Sequence, residues 1–287
     1  MAPDTLPRRS LRGSLLRDGR AVSGLIIIAL IVLTALLAPL LTAAEPAAPL
    51  DVVTTRFLAP LATGPTGVFH LLGTDRFGRD VWTRLAYGAR ISLAVGLAGM
   101  AISVVLGFLV GSVAGVWQRR TGAALMGLTD FALALPRVVL LLLLTALWRP
   151  SATLVILVLG LTGWMSIARL VYGETRGIIA RPFVESAYAL GSHRKRVLLR
   201  HVFPNALTPV IAATALGIGN TIMLEAGLSF LGLGVQPPTP SWGNMIASGR
   251  DTLVNAPWVA AAPGLALVLV VVAFTLVGDW LRDQMER

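Results

Sequence analysis

Runs of about 20 apolar residues, the length that crosses a hydrocarbon core of about 30 Å, recur from Val22 almost to the C-terminus. They predict membrane-spanning helices at Val22–Leu41, Ala89–Val116, a third run densest at Val138–Leu147, Ala152–Leu170, Ala206–Leu233 and Val259–Val277. The expected fold class is all-α: a polytopic helical membrane protein with six transmembrane helices. The predicted division is a tail at 1–21, a first span at 22–42, a polar loop at 43–88, a five-helix core at 89–278 and a tail at 279–287. Within the core lie a basic loop at 171–205 and a Pro- and Trp-containing loop at 234–258. Gly107, Gly111 and Gly115 recur every fourth residue, so they share one helix face of the kind that packs a neighbour closely.

The polar segments set the orientation. Residues 1–21 hold Arg8, Arg9, Arg12, Arg17 and Arg20 ahead of the first apolar run. That run is too long for a signal-peptide core and lacks a small-x-small exit, so it is read as a retained span. Six spans put both termini on one side. Placing the tails, the Trp117 turn and the 171–205 loop in the cytoplasm collects most arginines there, as the positive-inside rule requires. The 43–88 loop carries its own arginines, but Asp51, Asp75 and Asp80 accompany them.

Composition agrees: 55% of the 287 residues are hydrophobic, 13% are charged, and the mean hydropathy is +0.78. The net charge of +10 is read as orientation and contact with membrane lipid, not as a nucleic-acid surface. Cysteine is absent and the histidines, His70, His193 and His201, are scattered, so no metal site and no cofactor are expected. The chain has no Gly-x-x-x-x-Gly-Lys-[Ser/Thr] phosphate loop, no Gly-x-Ser-x-Gly elbow and no His-Glu-x-x-His helix. It is therefore expected to be non-catalytic.

The basic loop carries the most information. Phe183 to Leu190 reads as a short helix, Gly191 as a turn of positive φ, and Ser192 as the cap of a second helix that Pro204 closes. The small residues Ser186, Ala187 and Ala189 would let a partner approach this hairpin. The run Glu185-Ser186-Ala187-Tyr188-Ala189-Leu190-Gly191, continuing to Arg200-His201-Val202-Phe203-Pro204-Asn205, resembles the "EAA" loop of bacterial ABC-importer permeases. Arg-His-x-x-Pro-Asn is similar to the peptide and nickel branch of that family. Segments at Leu72–Asp80, Tyr87–Leu93, Glu225–Gly234, Pro240–Gly243 and Gly278–Asp283 resemble its second, C-type permease, although Trp280 stands where glycine is common.

The resemblance implies a type I ABC-importer-like permease of the bacterial inner membrane. Its implied partners are a second homologous permease subunit, two ATP-binding ATPase subunits and an extracytoplasmic solute-binding protein. The implied ATPase-docking residues are Glu185, Ser186, Ala187, Gly191, Arg200, His201, Pro204 and Asn205, with the basic run Arg194 to Arg200 facing the ATPase or lipid headgroups. The expected cargo is a peptide, with a nickel complex or another small solute as the alternative.

Two acidic residues fall in spans, where an ionisable group is costly. Glu225 is either a partner for a substrate ammonium or a structural group bonded to Ser229 or a neighbouring helix. Asp130 has the same two readings, and Arg137 is a strained fit as its partner at two helical turns' distance. The stretch Gly73 to Asp80 reads as a turn bridged by its own charges or as a contact for a binding protein. The rival classes are an ATP-independent secondary transporter or channel using Glu225 or Asp130, and a structural scaffold.

Overall fold

The computed structural model describes residues 18–42, 52–65, 67–117 and 120–285. The expected tail up to residue 17, with four of its five arginines, lies outside the described residues, as do Asp51 and Arg119.

The first span is α1, Gly19–Leu36, capped by the Asp18 carboxylate, which accepts from Arg20 N at 3.0 Å. The single turn α2, Ala38–Leu41, follows. Next come a turn of helix α3, Val52–Thr55, and a small hairpin of β1, Ala62–Thr63, with β2, Phe69–His70. The second span, α4, runs Val81–Val116 and so starts eight residues before the expected Ala89.

Local electrostatics explain the early start. Asp80 caps α4, its carboxylate accepting from Thr83 N at 2.7 Å and Thr83 Oγ1 at 2.8 Å, while its other oxygen meets His70 Nδ1 at 2.9 Å. Asp75 accepts from Phe77 N, Arg79 N and Arg79 Nε at 2.8–3.0 Å and lies 3.7 Å from Arg84 Nε. A paired Arg84 can sit buried in the first turn of a span, so the charge that ended the apolar run does not end the helix. The Gly73–Asp80 stretch is thus a turn bridged by its own charges. Trp258 Nε1 ties it to the last span by donating to Thr74 O at 3.2 Å.

The third span is broken. Helices α5, Arg120–Ala134, and α6, Arg137–Ala146, meet at 82°. Pro136 supplies the reason: it has no N–H to donate and pushes Leu135 out of helical geometry. The fourth span, α7, Ala152–Ile179, is capped by Ser151 and continues nine residues past the expected Leu170. The helical hairpin of α8, Pro182–Ala189, and α9, Arg194–Val197, leads through a π-helical turn, Leu198–Val202, into α10, Phe203–Phe230. The expected outer loop contains α11, Trp242–Arg250. The last span, α12, Trp258–Met285, absorbs most of the expected tail. Among the described residues five helices are long and apolar enough to cross a membrane, and the bent α5–α6 pair makes a sixth crossing when counted as one.

Helix α4 is the hub, and its most extensive partner is α7. The expected glycine face is the contact. A Cβ on Gly107 would lie 2.6 Å from Ile167 Cβ and 2.7 Å from Trp164 O; one on Gly115 would lie 2.6 Å from Thr175 Cγ2. Gly111 lies as close to Ala168 and Val171. Lipid tails are as apolar as leucine, so close packing of this kind, and not solvent exclusion, holds the two helices together. Helix α12 packs on α10 and α1, and Arg20 Nη2 meets Asp283 at 3.3 Å, bringing the start of α1 to the end of α12.

Substituting Gly107 by valine should destabilise the purified subunit by about 1–3 kcal/mol, the usual cost of overpacking. Gly173, where an added carbon meets nothing within 4 Å, should tolerate alanine without loss. Thermal unfolding in detergent, read from both variants beside wild type, checks the pair.

Candidate functional site

Three features concentrate polar chemistry: the α8–α9 hairpin, a carboxylate enclosed near the far end of α10, and a groove between α7 and α10.

The hairpin has a small core of its own, formed by Ile178, Val184, Val197, Val202 and Ala206, with Ala187 and Phe203 packed against it. Its turn closes as a Schellman motif: Ser192 N donates to Ala187 O at 3.0 Å and Gly191 N to Tyr188 O at 2.9 Å. Gly191 sits at φ +78°, open to left-handed backbone only at a cost for any side chain. Ser192 therefore ends the first helix through its backbone instead of capping the second. That second helix starts at Arg194 after His193, without a side-chain cap.

Pro204 does not close that helix either. It lies in the first turn of α10, and the helical run is continuous from Arg194 to Phe230. A proline here lacks a donor for the Arg200 carbonyl and its ring crowds that group. The preceding turn widens to π geometry, with Phe203 N donating to Leu198 O, and the Asn205 side-chain amide turns back to His201 O. In sequence, a proline in the first turn of a helix and one that ends a helix look alike.

Glu185, Ser186, Gly191, Arg200, Pro204 and Asn205 are exposed on this hairpin, His201 is half-buried against Phe183, and Ala187 is half-buried against the hairpin core. Ser186 Oγ donates to Pro182 O at 2.9 Å. Of the basic run, Arg194 remains exposed but donates to Val116 O at 3.2 Å, capping the end of α4. Apolar residues at the surface, which no motif singles out, complete the hairpin face. Phe183, Tyr188 and Leu199 are exposed, and Leu190 is 87% exposed at the tip beside Gly191.

Glu225 is fully buried. Ser229 Oγ donates to its Oε1 at 2.7 Å and Ser92 Oγ, from α4, to its Oε2 at 3.0 Å, while Ser241 provides a third hydroxyl. Each serine passes the bond on: Trp242 N donates to Ser92 Oγ at 3.3 Å, and Val235 N to Ser229 Oγ at 3.0 Å. Ser241 and Asn244 form a capping box at the start of α11. The carboxyl thus joins α4, α10 and the segment leading into α11. Asp130 is paired with Arg169 of α7, not with Arg137.

The groove begins beside the hairpin. A cavity of about 630 Å³ is lined by Glu174, Arg181, Asn205, Pro209 and Arg282, among others. A second cavity, of about 280 Å³, shares Leu170, Ala213 and Leu216 with it and reaches Ser103, Arg137 and Asn220. Glu225 lines neither.

A family model described as "Binding-protein-dependent transport system inner membrane component" matches residues 103–287, the stretch that holds the hairpin, the groove and Glu225. This chain belongs to that family. A putative peptide transport system permease protein of Brucella suis biovar 1 is 37% identical over 263 residues, 92% of this chain and 86% of its own length. The dipeptide transport system permease protein DppC of Alkalihalophilus pseudofirmus is 35% identical, over 98% of this chain and 90% of the relative. The oligopeptide transport system permease protein OppC of Bacillus subtilis is 34% identical, over 93% and 85%. In fold, the chain is similar to the inward-facing MetNI methionine ABC transporter. The TM-score is 0.59 at 18% identity, over 70% of this chain and 96% of that one. Family membership makes the chain a multi-pass, non-catalytic permease component of a bacterial inner membrane.

Glu225→Ala leaves buried hydroxyls without their acceptor and should cost about 1–3 kcal/mol of stability. Thermal unfolding checks this, and the apparent KM for transported solute, measured on the folded fraction, should stay within two-fold of wild type.

Proposed function

We propose that this chain is a permease subunit of a peptide importer driven by ATP-binding-cassette ATPases, and that the Glu185–Asn205 hairpin is where an ATPase docks. The single observation that carries the docking half is the hairpin surface. It is a folded knob with its own core, fixed to α4 through Arg194 and fused to α10, that exposes Leu190, Phe183, Tyr188 and Leu199 beside Glu185. An apolar tip in water calls for a protein cover. The named relatives favour peptide cargo over a nickel complex.

In this reading the chain pairs with a second homologous permease. Two ATPases bind from the cytoplasm, and an extracytoplasmic binding protein delivers the peptide. The hairpin end is the cytoplasmic one, with both termini. Arg176, Arg181, Lys195, Arg196 and Arg200 stand there, near the lipid headgroups, whereas at the opposite end Asp75 pairs with Arg79 and Arg84 and Asp251 with Arg250. ATP binding favours one of two helix packings, and the hairpin carries that preference into α10 and the groove beside it. The groove starts at Asn205 and Arg181, on either side of the hairpin's base.

The test is ATP hydrolysis and uptake by the reconstituted complex with its ATPases and binding protein. Glu185→Arg places a like charge in a basic surface, and Gly191→Pro cannot adopt φ +78°. Both variants should reach the membrane at wild-type levels and lose at least ten-fold in stimulated ATP turnover and in uptake. Normal transport by both would sink the docking assignment.

A further inference from the structure

Among the described residues, Arg137 is a cation within the spans that forms no ion pair. Arg137 opens α6 directly after the Pro136 break and reaches across to α7, where its Nη2 donates to Leu159 O at 3.4 Å. Its Nε is buried and has no hydrogen-bond partner among the described residues. The guanidinium lines two cavities of about 280 Å³ each, and Ser166 lines both with it. Neither lining contains a carboxylate, and the carboxylate nearest in sequence, Asp130, is held by Arg169.

The position is deep. Leu159 lies seven residues into α7 and Asn220 ten residues from the end of α10, or about 11–15 Å along each helix, near the middle of a core of about 30 Å. Asn220 and Ser166 are exposed there and face the same cavity. Exposed amide and hydroxyl groups at that depth mark a wet path or a subunit contact, not a lipid-facing surface. The cavity continues through Leu170, Ala213 and Leu216 into the larger one that ends at Arg181 and Arg282 beside the hairpin. A guanidinium with free donors in a low-dielectric groove attracts a planar anion that can take two parallel hydrogen bonds.

We infer that Arg137, with Ser166 and Asn220, forms a carboxylate station on the solute path, where the C-terminal carboxylate of the peptide pairs midway across the membrane. This rests on the peptide-importer reading. The station gives the permease a selection step of its own, for peptides with a free C-terminus, downstream of any binding protein.

The experiment measures equilibrium binding of radiolabelled alanine peptides of two to five residues, and of their C-terminal amides, to the purified permease–ATPase complex in detergent. The binding protein is left out so that upstream selection contributes nothing. Wild type should hold the free acids at least ten-fold more tightly than the amides. Arg137→Gln should abolish that preference while binding the amides as wild type does. Arg137→Lys, which keeps the charge without the fork, should retain part of it. Equal binding of acid and amide by wild type, binding of neither, or an unchanged preference in Arg137→Gln would each overturn the station. ATP-dependent uptake of the same peptides into proteoliposomes, with the binding protein restored, tests the parent reading separately. Uptake without acid preference removes the Arg137 role alone; absence of uptake by wild type removes the importer reading.

Discussion

Everything in this subunit depends on how closely α4 and α7 approach. Inside a bilayer the surroundings are as apolar as the helices, so two spans stay together only where their surfaces fit better than lipid does. Gly107, Gly111 and Gly115 remove the side chains from one face of α4, and Ile167, Ala168, Val171 and Thr175 fill the space. With those two helices fixed, α10 is packed against both, and the groove between α7 and α10 acquires defined walls. The contact also ends where the hairpin begins, since Arg194 caps α4 one residue beyond Gly115.

Burial of Glu225 shows the complementary device. A carboxyl group in a span survives because three serines from separate parts of the chain face it, and each of those serines is engaged further out. The network joins α10 to the segment before α11, and Trp242 seals it by donating its indole N–H to Leu85 O at 3.1 Å. Polar atoms here bind parts together for which apolar packing alone provides no register.

What the sequence made legible was periodic or conformational. The glycine face of α4 follows from spacing alone, and the turn at Gly191 follows from the one residue that tolerates its φ. The family could be read from the hairpin motif because its residues are contiguous. Illegible were features set by distant partners. Ser92 is 133 residues from Glu225, and Arg169 is 39 from Asp130. The start of α4 was misplaced because Arg84 looks like a loop residue until Asp75 is folded beside it. Pro204 was misread because its tolerance in a helix depends on the widened turn before it, and no local pattern announces that turn. Pro136 blurred the third span for the opposite reason, since it does break the helix.

The continuous helix from Arg194 to Phe230 also makes a lever. Glu225 pins it to α4 near one end, and at the other end the one bond from Arg194 to Val116 O holds the hairpin to α4. A tilt of about 10° about that pin would carry Arg194, roughly 46 Å away at 1.5 Å per residue, through about 8 Å. Asn220, only about 7 Å from the pin, would move by about 1 Å. A subunit built this way can swing its hairpin end widely, once the Arg194 bond to Val116 O lets go, while the centre of the path keeps its shape.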